Sequence, residues 1–204
     1  MMRIHGFRGS GNCYKVELAL RLLGLEYEWI EHDILAGATR TDAFLAVNPN
    51  GRIPVLELAD GRVLPESNAI LCYLADDTPL MPEDRFRRAQ VLQWLFFEQY
   101  SHEPHIAVAR FIHRYLGNPP GQAERAQRCV EPGYAALGVM EQHLVARRYF
   151  VGEAYSIADI ALYAYTHVAH EGGFSLDHYP AVRAWLDRVA SRPGHIPMEG
   201  PRNA

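Results

Sequence analysis

The chain has 204 residues, 49% hydrophobic and 22% charged, with a net charge of -4. This is the balance of an ordinary globular protein of one large or two small domains, and its acidity disfavours a nucleic-acid binder that relies on phosphate contacts, while no polybasic run offers a membrane anchor. The opening residues lead into no signal-peptide-like apolar stretch, no apolar run reaches membrane-span length, and Cys13, Cys72 and Cys129 are too scattered for a CxxC zinc or dithiol motif, so a reducing cytoplasmic setting is expected.

Residues 3–6 read as a short strand, followed by the loop Arg8-Gly9-Ser10-Gly11-Asn12. Val16, Leu18, Ala19, Leu20, Leu22 and Leu23 then recur at helical spacing, and Gly24 is placed to end that helix. Residues 26–31 alternate polar and apolar, the signature of a strand, so the chain opens as strand–loop–helix–strand and implies a parallel pair with a right-handed crossover. A polar loop around 36–41 and a short helix near 41–47 end at Asn48-Pro49-Asn50-Gly51. Residues 53–58 form a strand, Asp60-Gly61 signals a two-residue turn, and 62–64 return as its partner. Ser67 opens a helix carrying Ile70, Leu71, Tyr73 and Leu74.

Residues 1–76 thus form a first domain, βαβ followed by a helix, a hairpin and a helix. Composition shifts over 77–84, where Pro79 and Pro82 stand among charged residues, and this stretch reads as a linker. Residues 85–204 form the second domain. No credible strand occurs there, and helical patterns run over 84–116, 122–146, 157–170 and 180–191. Ser156-Ile157-Ala158-Asp159 has the form of a capping box with Asp in the usual Glu place.

Several positions admit chemistry. Proline lacks an N–H, so Ile53-Pro54 is a simple strand start or a cis bond that leaves the Ile53 backbone free to pair with an extended peptide. Ser67 is an N-cap, or it donates to a carboxylate seated on the helix N-terminus while Glu66 takes an ammonium group. Gly9 and Gly11 let a ligand approach Ser10 closely, and Ser10 is either a cap, with Asn12 as rival, or a hydroxyl aimed at a thiolate. The energetics permit the second role. A free thiol ionises near a pKa of about 8.5, and lowering that by two units takes about 2.7 kcal/mol. A hydrogen bond to a charged group supplies about 1.5–3 kcal/mol, and a helix N-terminus about 0.3–1 kcal/mol more.

Taken together, Ser10-x-Asn12-Cys13-Tyr14-Lys15-Val16, Asn48-Pro49-x-Gly51-x-Ile53-Pro54-Val55-Leu56, Glu66-Ser67-x-Ala69-Ile70 and Ser156-x-Ala158-Asp159 resemble the cytosolic glutathione transferases of the serine type. The resemblance runs through nearly the whole chain and is weaker over 85–150. It implies an α/β N-terminal thioredoxin-like domain (βαβ-α-ββα) joined to an all-α C-terminal helical domain. It implies that glutathione is the co-substrate and that Ser10, or Asn12, activates its thiol. Ile53 would pair with the cysteinyl backbone beside a cis Pro54, and Glu66 and Ser67 would hold the γ-glutamyl end. Arg52 would reach the glycyl carboxylate or solvent, and Arg40 is a weaker candidate for that carboxylate. Asp159 would be a structural cap. The tyrosine-type classes carry a catalytic Tyr near the end of the first strand, where this chain has Phe7, while Tyr14 falls inside the helix. Cys13 lies about one helical turn after Ser10 and should not replace it.

The aromatic stretch 94–100 opens the second domain. In the resembled fold one side of this helix faces the cleft between domains, so Tyr100, His102, His105, Ile106 and Phe111 either line an apolar acceptor pocket or pack in the core. The expected reaction is conjugation of glutathione to small apolar electrophiles. Glutathione-dependent disulfide reduction and a non-catalytic binding role are the alternatives. A homodimer is implied, without membrane or nucleic-acid partners. The pairs His102/His105 and His167/His170 lack a third ligand, so no metal is expected, and Gly9-x-Gly11 lacks the rest of a dinucleotide fingerprint.

Overall fold

The computed structural model describes residues 1–199. The described chain divides into two compact units, Met1–Asp76 with residues 193–199, and Asp77–Arg192. The return of the chain to the first unit at Pro193 departs from the expectation that 85–204 is one helical domain. Tyr14 explains the difference, because its hydroxyl donates to the Ile196 carbonyl at 2.7 Å and holds the tail there.

The first unit is a four-stranded sheet in the order β2-β1-β3-β4. Strand β1 (Met2–Gly6) and β2 (Tyr27–Glu31) run parallel across helix α1 (Gly11–Leu22), with Ile4 opposite Trp29. Gly24 ends α1 as expected: at φ 65° it lets the Leu25 N–H turn back to the Leu20 carbonyl. Strand β3 (Val55–Glu57) is antiparallel to β1 and to β4 (Val63–Pro65). The β3–β4 loop is longer than its sequence signal suggests. The Leu58 N–H pairs with the Arg62 carbonyl and leaves three residues between, with Gly61 at φ 84° and donating to the Leu58 carbonyl. The period-2 pattern makes the sheet two-sided. Ile4 and Leu56 are fully buried on the side of α1, where Gly6 meets Cys13. His5 points to the other face, under Phe44 of helix α2 (Asp42–Val47). Helix α3 (Ser67–Ala75) follows β4 directly.

The second unit is helical. Asp84 caps α4 (Arg85–Phe97) by accepting from the Arg87 amide at 2.9 Å. The helix continues through a widened π turn (Glu98–His102) into α5 (Glu103–Arg110) and a second π turn (Phe111–Tyr115). Pro104 accounts for the first widening, because its ring cannot bond or clear the carbonyl four residues back. Helices α6 (Ala123–Leu144), α7 (Ile157–Thr166) and α8 (Pro180–Ala190) complete the unit, α7 giving way to a 3-10 turn over Ala169–Gly172. Among the described residues no helix is long and apolar enough to cross a membrane.

Asp159 ties this unit together. Its fully buried carboxylate accepts from the amides of Phe150 and Ser156, the Ser156 hydroxyl and the Trp185 indole N–H, at 3.0–3.3 Å. The capping box is complete, with Ser156 accepting from the Ala158 amide. Burial outweighs these donors and pushes the Asp159 carboxyl up to about 6. The folded chain therefore binds this proton more tightly than the unfolded one, so stability from this group is gained as pH falls and lost as it rises through that value. The thermal advantage of the wild type over Asp159→Asn is expected to grow from pH 7.5 to pH 5, by on the order of 1 kcal/mol. Paired melting curves at the two pH values check this; a constant gap contradicts it.

Candidate functional site

Two helix starts meet in the first unit. Ser10 is the N-cap of α1, and its Oγ accepts from the Cys13 amide at 3.4 Å. That choice settles the cap of α1 on Ser10 rather than Asn12. Asn12, one residue into the helix, turns its Oδ1 to the hydroxyl of Ser67, which donates to it at 3.2 Å. Ser67 is the first residue of α3 and makes no cap bond; Glu66 occupies the N-cap position. The simple capping role for Ser67 is thereby replaced: its hydroxyl is turned across to α1. Lys15, one turn along α1, has no exposed surface and donates from Nζ to Ser67 Oγ at 3.5 Å.

The segment leading to β3 is shaped by Asn48, which is buried. Its amide donates to the Arg52 carbonyl at 2.8 Å and its Oδ1 accepts from the Asn50 amide at 3.1 Å. The Gly51 amide bonds back to the Asn48 carbonyl at 2.8 Å. Gly51 sits at φ 64°, which strains any L side chain, and a Cβ there would also press on the Thr39 carbonyl at 3.0 Å, so glycine is favoured. Arg40 itself donates to the Asn50 carbonyl at 3.3 Å, which brings Arg40 and Arg52 to the same exposed loop. Ile53–Pro54 is cis, and β3 begins at Val55 rather than at 53 because proline offers no ladder donor. Across β4, Glu66 takes φ 74° and ψ 111°, a conformation L side chains avoid, at a cost of about 1–3 kcal/mol. Its side chain is exposed at the start of α3.

Other expected candidates fall elsewhere. Tyr14 points to the tail, with its hydroxyl also 3.2 Å from His195 Nε2. Cys13 is fully buried, and burial pushes its thiol up to about 12, so it supplies no thiolate. In the second unit, His102 and Ile106 have no exposed surface and belong to the core. Thr166 gives its proton to the Leu162 carbonyl, so the His102 Nε2–H is the donor in their 2.9 Å bond. Tyr100 is 86% exposed, and His105 and Phe111 are half-buried, so the five do not share one surface. His167 stacks on Tyr163 and donates from Nδ1 to its carbonyl. Among the described residues no three His, Cys, Asp or Glu side chains are grouped to hold a metal ion.

Lys15 and Asn48 were legible only as parts of motifs. A lysine on the line Gly11, Lys15, Leu18, Leu22 of an otherwise apolar helix face is the signal that marks the first. An Asn opening a Pro-Asn-Gly turn marks the second, since its side chain can bond the backbone two residues on.

The chain matches the family model of the glutathione S-transferase N-terminal domain over residues 9–77 and that of the glutathione S-transferase C-terminal domain over 93–193. It is similar to a crystal structure of glutathione S-transferase from Pseudomonas fluorescens Pf-5, at 60% identity over 97% of this chain and 98% of that one, with a TM-score of 0.95. It is 34% identical to the disulfide-bond oxidoreductase YfcG of Escherichia coli K12, over 92% of this chain and 89% of that protein. A glutathione transferase family member from Pseudomonas fluorescens pf-5, crystallised with two glutathione bound, is 28% identical over 95% of this chain and 89% of that one, at a TM-score of 0.82.

The strain at Glu66 makes a reversed substitution preference. Glu66→Gly relieves the positive φ, whereas Glu66→Ala retains it, so the glycine variant is expected to be the more stable by about 1 kcal/mol. Denaturant midpoints of the two variants check this; alanine proving more stable would show that the site carries no backbone strain.

Proposed function

This chain belongs to the glutathione S-transferase family, and from that premise we propose that it binds glutathione along its first unit, holds the sulfur as a thiolate and transfers it to small apolar electrophiles. The observation that supports this reading is the bond from the Ser67 hydroxyl at the start of α3 to Asn12 in the first turn of α1, the helix that Ser10 caps. Ser10 Oγ accepts one backbone hydrogen bond and keeps its own proton to donate to sulfur. That donor and the first-turn amides of α1 stabilise the anion over the thiol without a general base. Asn12 supplies a second amide donor at the same helix end. The Ile53 backbone pairs with the cysteinyl residue, and Ser67 and Glu66 take the carboxylate and ammonium of the γ-glutamyl end. Arg52 and Arg40 face the glycyl carboxylate. In the second unit, His105 and Phe111 keep surface for an acceptor.

The likeness to a disulfide-bond oxidoreductase favours a second reading, in which the same thiolate attacks a disulfide. One S–S bond then forms as another breaks, and the departing sulfur leaves as a thiolate. Initial rates on an aryl halide and on a glutathione-linked disulfide separate the two. Binding without turnover on either would identify a non-catalytic role. A glutathione-dependent role fits a cytoplasmic location.

Along α4, Phe86, Leu92 and Phe96 are exposed on one side and Tyr100 continues the stripe. We read this as a contact between two copies, with Tyr100 serving there rather than in the acceptor pocket. Light scattering is expected to give twice the 23.1 kDa chain mass, and Phe96→Glu to give a monomer; a wild-type monomer contradicts it.

Ser10→Ala is expected to raise the pKa of bound glutathione by about one to two units, in line with a lost hydrogen bond to a charged group of about 1.5–3 kcal/mol. Turnover near neutral pH falls accordingly, with glutathione affinity largely retained. Thiolate absorbance against pH reads the shift directly. An unchanged profile in Ser10→Ala, and a shifted one in Asn12→Ala, would transfer the role to Asn12.

A further inference from the structure

We propose that Lys15 is a positioning residue that makes the Ser67 hydroxyl an obligate outward donor, and so couples the grip on the ligand's α-carboxylate to the setting of Asn12 beside the thiol. The inference rests on the glutathione reading above and deepens it. Lysine is rarely buried completely, yet Lys15 has no exposed surface. Its ammonium can only donate. At 3.5 Å from Ser67 Oγ it occupies one lone pair of that hydroxyl. The Ser67 proton is then directed away from Lys15, toward Asn12 Oδ1 at 3.2 Å. In turn, an Asn12 Oδ1 held by Ser67 fixes how the planar amide is turned, and with it the direction of the NH2 group, on the glutathione reading toward the sulfur.

The chain Lys15, Ser67, Asn12 therefore has one direction of donation. Each bond in such a chain polarises the next, and the effect is stronger out of water, where Lys15 and Ser67 lie. A carboxylate arriving at the start of α3 competes with Asn12 for the same Ser67 proton. Occupation of the carboxylate subsite thereby resets Asn12, and the amino-acid end of the ligand is felt at the thiol end.

The test compares glutathione with its analogue lacking the α-carboxylate, 4-aminobutanoyl-cysteinyl-glycine, by calorimetry and by thiolate absorbance against pH. Wild type is expected to prefer glutathione strongly. Lys15→Met should cut that preference by about tenfold, equal to about 1.4 kcal/mol, while binding of the analogue changes little. Adding Lys15→Met to Ser67→Ala should reduce the preference no further. The pKa of bound glutathione should rise in Lys15→Met, whereas that of the bound analogue should not. A merely structural lysine would weaken both ligands alike, and that result overturns the inference. Should Lys15→Met fail to fold, Lys15→Gln carries the same comparison: its shorter donor falls short of Ser67, and the preference should again drop. If wild type discriminates and the Lys15 variants keep full discrimination, Lys15 loses its role while the glutathione reading stands. If wild type binds neither ligand, both fall.

Discussion

A hydroxyl shared between two helix starts organises the first unit. Ser67 lies between Lys15 and Asn12, so the beginning of α3 is bonded to the first turns of α1. Those two ends are where unsatisfied backbone amides concentrate, and each favours an anion. In the glutathione reading proposed above, the two ends together would receive two negative groups of one ligand, a carboxylate at α3 and a thiolate at α1. Buried polar groups are stable only when bonded, which is why Lys15 and Ser67 constrain each other's geometry. If the bond between them were lost, the two helix starts would still pack through apolar side chains but would no longer share a defined set of donors.

The approach to this surface is set by backbone as much as by side chains. Asn48 bonds both the Asn50 amide and the Arg52 carbonyl, so the loop from Asn48 to Arg52 has one conformation before the cis Ile53–Pro54 bond. Gly51 completes it because its φ of 64° is open to glycine at little cost. On the far side, Glu66 holds a positive φ. Strain of that kind persists only where the surroundings determine it, here the end of β4 and the immediate start of α3.

The second unit depends on a different buried group. Asp159 gathers four donors from three parts of the chain: the Phe150 amide, Ser156 and the Trp185 side chain. The rings of Phe150 and Tyr163 both pack edge-on against that of Trp185, its indole donor. Such a site is costly to leave half-satisfied, so α7, α8 and the segment at Phe150 form together. Nothing about Asp159 suits it to chemistry on a ligand, since it has no exposed surface.

Local pattern alone was enough to determine the elements of the first unit and their order. Period-2 and period-3.6 hydrophobicity, Gly24, and the Ser156–Asp159 spacing are short-range signals, and β1, α1, β2, β4, α3 and the α7 capping box follow from them. The motif residues Ser10, Asn12, Ile53, Pro54, Glu66 and Ser67 stood out through the family resemblance, because local pattern left each open between a cap or strand start and a ligand contact. What tertiary structure decided is how those residues face one another. That Ser67 turns to Asn12 rather than capping its own helix depends on α1 and α3 lying side by side, which is a contact over more than fifty residues of chain. That Lys15 is buried, that His102 and Ile106 are core while Tyr100 is exposed, and that the tail from Pro193 returns to Tyr14 depend likewise on packing partners distant in sequence. Hydrophobic periodicity states which face of an element leaves water; it carries no information on which neighbour covers it, and at this protein's site the neighbour determines the chemistry.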